Sequence, residues 1–285
     1  MSKVAVVTDS TAYIPDEMMR GLPIYCLPLH LIWGEQMFLD NVDIHPQEFY
    51  ERLQTAKVMP STSQITPAAF EKLYAKLSEE GFEILSMHIS GKLSGTLDSA
   101  TQARAGLPGA KIELFDSESA SMALGFQVLA VARAAVEGAS MKECIEIATR
   151  ARANSEVYFV VSTLEFLRRG GRIGGAQAFL GTALNLKPIL FVQDGRVAAL
   201  EKVRTMSKAL DRLTDIVEQR IGSRTPIRLA ALHANAKDEA VAFLERVRQR
   251  FDVSAVSDAI ITDVSPVIGT HAGPGAVGMA FLAGM

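Results

Sequence analysis

Cysteine and long apolar runs are both scarce in this chain of 285 residues. The two cysteines, Cys26 and Cys144, form neither a CxxC pair nor a zinc-ligand spacing, and so low a count fits a reducing compartment. No run approaches the ~18 apolar residues that a membrane-spanning helix needs. The opening residues MSKVAVVTDS have too short an apolar stretch for a signal peptide and predict a first strand. We therefore expect a cytoplasmic protein with no integral membrane segment, for which transient membrane contact stays open.

An excess of charge of either sign is also missing, since the formal net charge is −3. The basic residues are scattered rather than gathered in one tract, so we expect no nucleic-acid partner. No pair among the five histidines has metal-ligand spacing, and we expect neither a metal nor a cofactor. Gly91-Lys92 lacks the upstream glycine spacing of a Walker motif, which argues against ATP binding of that kind.

What the chain does have is apolar residues, at 48% of the total, in a pattern that changes along its length. In the first half, strand-like runs such as KVAVVTDS and FEILSMHIS alternate with amphipathic helical stretches, which predicts a parallel sheet covered on both faces. In the second half, KPILFVQDGRVAALEKVRT predicts a hairpin around Asp194-Gly195, with helices nearby. We predict an α/β protein of two domains: a parallel-sheet domain over 1–155 and an α+β domain over 156–285.

Hydroxyl side chains are concentrated in four segments of the first half. Three predicted strands run into Ser- and Thr-rich turns at 8–11, 88–96 and 115–121, and a predicted loop, MPSTSQITP, spans 59–67. Because parallel strands end along one edge of a sheet, these segments can converge on one ligand crevice. Hydroxyls and helix N-termini suit a carboxylate or a phosphate. Helix capping alone is an alternative explanation for each turn.

Two glycine-rich segments occur in the second half. GTHAGPGAVG at 269–278 contains a G-x-G-x-x-G match, but only seven residues follow it, so we reject a dinucleotide site. His271 in this polar context is a plausible partner for a carboxylate. RRGGRIGG at 168–175 holds three arginines that suit a phosphate or an acidic partner, or that form a charged surface loop.

Taken together, these segments resemble the DegV family, whose members include the fatty-acid-binding subunits of bacterial fatty acid kinase. The matching segments, in chain order, are TDST at 8–11, STSQ at 61–64, LSGT at 93–96, RRGGRI at 168–173, LNLKPIL at 184–190 and HAGPGAVG at 271–278. The chain departs from the family pattern at Tyr13, Ile65 and Gly91, which commonly hold an acid, a proline and a serine. These departures bear on the preferred chain length more than on the fold.

The resemblance implies a DegV-like fold with one long-chain fatty acid buried in an apolar tunnel. It implies that Thr62, Ser94 and His271 hold the carboxylate. The hydroxyl and glycine residues around them form a supporting set: Ser61, Ser63, Gly95, Thr96 and Thr270. Candidates for the tunnel wall come from a predicted apolar helix over 176–186 and are Phe179, Leu180 and Leu184.

The resemblance also implies a role in lipid metabolism. The chain would be a carrier rather than an enzyme and would present the carboxylate to a separate kinase subunit, which makes an acyl phosphate for phospholipid synthesis. Arg169 and Arg172 would face that kinase. We expect uncharged donors to hold the carboxylate, because a fixed salt bridge would hold it too firmly for attack on a phosphoryl group.

Two alternatives are open. Ser94 and His271 could be the nucleophile and base of a serine hydrolase, with Asp263 as the nearest candidate acid, although KLSGT is not a G-x-S-x-G elbow. The same hydroxyl loops could instead bind a small phosphate or sugar acid with no tunnel.

Overall fold

The structure is a computed structural model that describes residues 3–180 and 186–285. The strands are β1 (Lys3–Asp9), β2 (Ile24–Leu27), β3 (His30–Trp33), β4 (Gln36–Leu39), β5 (Ser61–Ser63), β6 (Phe82–His88), β7 (Ile112–Asp116), β8 (Ser155–Val160), β9 (Lys187–Gln193), β10 (Arg196–Val203), β11 (Ile227–His233), β12 (Val256–Asp263) and β13 (Val277–Ala283). The α-helices are α1 (Asp16–Met19), α2 (Pro46–Thr55), α3 (Pro67–Glu79), α4 (Thr96–Ala105), α5 (Ser121–Val136), α6 (Met141–Asn154), α7 (Glu165–Arg169), α8 (Met206–Ile221), α9 (Lys237–Arg248) and α10 (Pro266–Ala272).

The first half contains a parallel sheet of four strands in the order β2-β1-β6-β7. β1 is buried along almost its whole length, as expected of a strand covered on both faces. Helix α3 begins as its sequence predicts, with Pro67 in the first turn and the Thr66 hydroxyl accepting from Ala69 N at 3.3 Å. The carboxyl ends of the four strands lie along one edge, which brings the hydroxyl turns together.

A second, smaller sheet has the order β4-β3-β5 and is antiparallel. Its strand β5 covers 61–63, so the prediction that 59–67 is wholly a loop is wrong for these three residues. Thr62 pairs with Leu31, and β5 is an edge strand. Pro60 and Pro67 lie outside the paired stretch, which is why two prolines are compatible with a strand here.

The second half forms a mixed sheet of six strands in the order β10-β9-β8-β13-β11-β12, in which β11 and β12 are the parallel pair. The predicted hairpin is confirmed, and Asp194 and Gly195 both have positive φ, at 48° and 75°, as a two-residue hairpin turn requires. The tip of this hairpin touches the first half: Ser90 Oγ donates to Gly195 O at 2.8 Å and Lys92 Nζ to Asp194 O at 2.7 Å.

Helix α5 lies between the two large sheets and is buried on nearly every side from Ser121 to Leu129. One hydrophobic cluster contains Phe126 of this helix, Leu85 of the parallel sheet and Val157 of the six-stranded sheet. The strands change from one sheet to the other at β8, which begins at Ser155. The division into two domains near residue 155 stays a prediction.

At 176–180, the described start of the predicted apolar helix over 176–186, the structure differs from the prediction. A short 3-10 helix covers Gly174–Phe179, and Leu180 follows in an extended conformation with 38% of its surface exposed. A Cβ at Gly174 would overlap the carbonyl oxygen of Val197, so the glycines let this segment lie against β10 by its backbone. A regular helix buried on all sides would not allow that contact.

The packing of α2 against the segment before α10 gives a stability prediction. Tyr50 is fully buried and its hydroxyl donates to Val264 O at 2.9 Å. We expect Tyr50→Phe to lower the free energy of unfolding by about 1–2 kcal/mol, because the Val264 carbonyl is left buried without its donor. The control is Tyr13→Phe, whose hydroxyl makes an exposed bond to Asn41, and we expect a change below about 0.5 kcal/mol. Denaturant unfolding of both variants measures this, and equal losses would contradict it.

Candidate functional site

A cavity lies between the parallel sheet and the six-stranded sheet. Its interior volume, taken as the space open to the centres of water molecules, is about 120 Å³. The first half contributes residues of β5, of the start of α5 and of loops, namely Leu29, Thr62, Ser63, Ile89, Ser94 and Ser121. The second half contributes apolar side chains such as Val157, Phe159, Val192, Val197, Leu232 and Val264. The cavity is therefore mostly apolar, with a limited set of polar groups.

The structure brings Thr62, Ser94 and His271 together on the wall of this one cavity. Thr62 Oγ1 and His271 Nε2 share a hydrogen bond of 2.9 Å that joins β5 to α10. Ser94 Oγ is 2.9 Å from Thr96 Oγ1 in the turn after β6. Two neutral hydroxyls and an imidazole thus occur at the cavity wall, on three elements far apart in the chain.

His271 is uncharged at neutral pH. Burial lowers its pKa to about 4, and the nearby charge of Arg172 acts in the same direction. Its Nδ1 is buried and has no hydrogen-bond partner among the residues that the structure describes. This nitrogen faces Gly170, where a Cβ would overlap it. The first glycine of the RRGGR motif is therefore required by the imidazole that packs on it.

Arg172 also lines the cavity, so a positive charge lies close to the neutral donors that the sequence predicts for a carboxylate. The guanidinium donates from Nε to Leu93 O at 3.0 Å and from Nη1 to Gly170 O at 2.6 Å. These two bonds hold a positive charge beside the hydroxyls. Arg169 differs, because it is exposed and donates to Glu165 Oε1 at 2.6 Å, outside the cavity wall.

The five residues of the predicted supporting set take different places. Ser63 lines the cavity, and Thr96 is buried and bonds to Ser94. Gly95 packs on the amide of Gln64, which itself lines the cavity. Ser61 is exposed at the start of β5. Thr270 is buried and donates to Pro266 O within α10, so its hydroxyl is used by the helix.

Two of the three predicted wall residues lie away from the cavity lining. Phe179 lies under Lys202 Nζ at 4.4 Å and Leu180 is partly exposed, and neither belongs to the lining. Leu184 lies outside the described residues. Alternation along β8 would have been the better signal, since Val157 and Phe159 face the cavity while Tyr158 joins the cluster on the other side of the sheet.

Only two of the three hydroxyl turns reach the cavity. The turn at 8–11 is used by the fold instead: Asp9 is fully buried and accepts from Thr11 N, Thr11 Oγ1, His88 Nδ1 and Ile89 N. The turn after β7 reaches the cavity with Ser121. The capping and packing explanation therefore fits the first turn, and the ligand explanation stays open for the other two.

The arrangement lacks the contacts of a serine hydrolase. Ser94 bonds to Thr96 and His271 to Thr62, so the two do not form a nucleophile–base pair. Asp263, the candidate acid, lies with its Oδ1 3.4 Å from Nδ1 of His233. A triad would need an acid at the free nitrogen of His271, which packs on Gly170.

Comparison with known proteins gives the same assignment as the motifs. The family model "Uncharacterised protein, DegV family" matches residues 3–284. The chain belongs to the DegV family. A DegV domain-containing protein of Streptomyces coelicolor is 40% identical over 277 residues, with 97% of each chain covered.

Solved structures of DegV proteins share the fold. A DegV family protein of Thermus thermophilus, described as fatty acid binding, matches with a TM-score of 0.92 at 36% identity and 99% coverage of each chain. DegV of Bacillus subtilis, described as a fatty acid binding protein, matches with a TM-score of 0.89 at 33% identity, covering 99% of this chain and 100% of that one. The predicted family and the α/β fold, with its parallel first sheet, are therefore confirmed.

Two kinds of feature are absent from residues 3–180 and 186–285. No described helix has the length and apolar character to cross a membrane. No group of three or more His, Cys, Asp or Glu side chains is placed to hold a metal ion in these ranges.

The contact between Gly170 and His271 gives a prediction about ionisation. In Gly170→Ala the new methyl group displaces the imidazole from its buried position, so we expect the pKa of His271 to rise from about 4 towards its usual value near 6.5. The sign follows from burial, which disfavours the charged form. An NMR titration of the ring protons measures it. Gly175→Ala is the control, because its Cβ would meet atoms at 3.6 Å or more, and we expect no shift. A pKa that stays near 4 in Gly170→Ala would contradict this account.

Proposed function

We propose that this chain binds a long-chain fatty acid in the cavity between its sheets and presents the carboxylate to a separate kinase subunit. The observation that carries the proposal is the grouping of Thr62, Ser94 and His271 on the wall of a mostly apolar cavity. Fatty acid binding by the Thermus thermophilus and Bacillus subtilis relatives supports it. The ligand would be the acid itself, with no cofactor.

The free energy of binding would come mainly from the tail. A ~16-carbon acid buries about 14 methylenes at ~0.8 kcal/mol each, so the gross transfer is on the order of 10 kcal/mol. A charge-assisted hydrogen bond contributes about 1.5–3 kcal/mol net. The hydroxyls and His271 would therefore fix the position of the carboxylate more than they hold the ligand.

The head-group chemistry suits a carboxylate that must react later. The Arg172 guanidinium uses two of its five N–H groups on Leu93 O and Gly170 O, so it adds positive potential while fewer of its donors are free for a carboxylate. A neutral His271 can donate one hydrogen bond from Nε2, the nitrogen that now bonds Thr62. The carboxylate would then stay nucleophilic when a kinase brings a phosphoryl group.

A carrier role accounts for the exposed arginine near the cavity. Arg169 is three residues before Arg172 in the chain and lies on the surface, so we propose it as a contact for an acidic patch of the kinase. Arg172 is half-buried and would contribute mainly to the carboxylate site. The transfer itself would be catalysed by the kinase, and its acyl phosphate product would enter phospholipid synthesis.

The alternatives fit less well. A hydrolase needs a nucleophile–base contact that Ser94 and His271 do not make. A small phosphate or sugar acid needs polar partners on several sides, whereas most of this lining is apolar.

Bound lipid is the direct test of this proposal. We expect native mass spectrometry of the protein, as purified from cells, to show an added mass equal to one long-chain fatty acid. Solvent extraction followed by lipid mass spectrometry identifies the acid. A protein that is free of ligand after gentle purification, and that takes up no added stearate, would contradict the proposal.

The head-group residues give a second test. In Thr62→Ala/Ser94→Ala we expect acyl phosphate formation, with a fatty acid kinase catalytic subunit and ATP, to fall at least tenfold, while retention of the fatty acid falls much less. The control is Thr101→Ala/Ser207→Ala, which removes two exposed helix hydroxyls away from the cavity. Equal loss of both properties in a folded double variant would contradict the division between tail and head group.

A further inference from the structure

Ser121 is a polar residue of the cavity wall that the proposed carboxylate site does not use. Its side chain is buried, with 6% of the residue exposed. Its hydroxyl has no hydrogen-bond partner among the residues that the structure describes. A buried hydroxyl without a partner is unfavourable by roughly 1–3 kcal/mol, so a partner is expected from the cavity.

The backbone around Ser121 adds to this polar point. Ser121 is the first residue of α5, which runs for 16 residues, and no side chain caps the start of this helix. No acidic residue lies in its first turn. Free N–H groups and the positive end of the helix dipole therefore accompany the hydroxyl at the cavity wall, and both favour an acceptor oxygen.

This polar point is separate from the carboxylate site in its contacts. Ser121 belongs to the turn after β7, whereas Ser94 belongs to the turn after β6 and Thr62 to β5. Thr62 and His271 bond to each other and Ser94 bonds to Thr96, with no contact to Ser121. The cavity thus has two polar points and an apolar lining between the sheets.

From this arrangement we infer that Ser121 and the start of α5 form a second polar subsite, which accepts a neutral oxygen substituent on the acyl chain. The inference rests on the proposed fatty acid function and names its preferred ligands: hydroxy fatty acids in addition to plain ones. A hydroxyl on the chain both accepts from Ser121 or a helix N–H and donates to the Ser121 oxygen. A second carboxylate is disfavoured, because Val157 and other apolar neighbours on this wall cannot solvate a charge.

The test compares stearic acid with a panel of monohydroxystearic acids that differ in the position of the hydroxyl. Dissociation constants are measured by displacement of a fluorescent fatty acid from the full chain. For each protein, the dissociation constant of an isomer is divided by that of stearate. For one isomer, we expect this ratio to be about three- to tenfold lower in the wild type than in Ser121→Ala. Ser121→Gly is a second variant without the hydroxyl, and glycine suits the φ of 53° at this position. The control is Ser119→Ala, a buried serine of the same turn that does not line the cavity, and we expect it to keep the preference.

Each outcome decides between the possibilities. Loss of the isomer preference in Ser121→Ala and Ser121→Gly, with stearate binding kept, supports the subsite. No preference for any isomer in the wild type overturns it while the fatty acid function stands. Equal weakening of stearate and all isomers in the variants would assign Ser121 to the carboxylate and would also overturn it. Failure of the wild type to bind any member of the panel would overturn the proposed function together with the subsite.

Discussion

The site depends on how α10 is held by the first half of the chain. Three contacts fix the segment that leads into and through this helix: Asp40 accepts from Val267 N, Tyr50 donates to Val264 O, and Thr62 bonds to His271. Asp40 follows β4, Tyr50 lies in α2 and Thr62 lies in β5. Because α10 and the segment before it are held by these residues of the first half, the carboxylate site that we propose needs both halves to be folded.

The sequence predicts much of this fold because its patterns are local. Alternating strands and helices predict the parallel sheet, and Asp194-Gly195 predicts a hairpin whose turn has the expected positive φ values. The sequence also predicts some residues of the cavity wall, since the motif resemblance selects Thr62, Ser94 and His271. The role of each in binding a carboxylate is still a proposal.

The structural features that the sequence does not predict depend on packing between residues far apart in the chain. Hydroxyl density does not reveal that Asp9 collects four hydrogen bonds in the core, because its donors include His88 and Ile89, far away in the chain. Apolar content in 176–186 does not reveal that the backbone at Gly174 meets Val197, which places Phe179 and Leu180 away from the cavity. The sequence alone does not distinguish Arg172 from a surface arginine, because it does not reveal the carbonyl groups that accept from its guanidinium. Each case includes a contact between residues far apart in the chain: Asp9 with His88, Gly174 with Val197, and Arg172 with Leu93.

The hairpin of β9 and β10 lines the cavity and also connects the two halves of the chain. Its strands carry Val192 and Val197 into the cavity, while its tip is tied to Ser90 and Lys92 of the opposite half. Neither strand carries Thr62, Ser94 or His271. Substitutions that change side-chain size along these two strands would therefore change the width of the cavity and leave Thr62, Ser94 and His271 unchanged. Under the proposed function, this hairpin would set which acyl chains fit, separately from the residues proposed to hold the carboxylate.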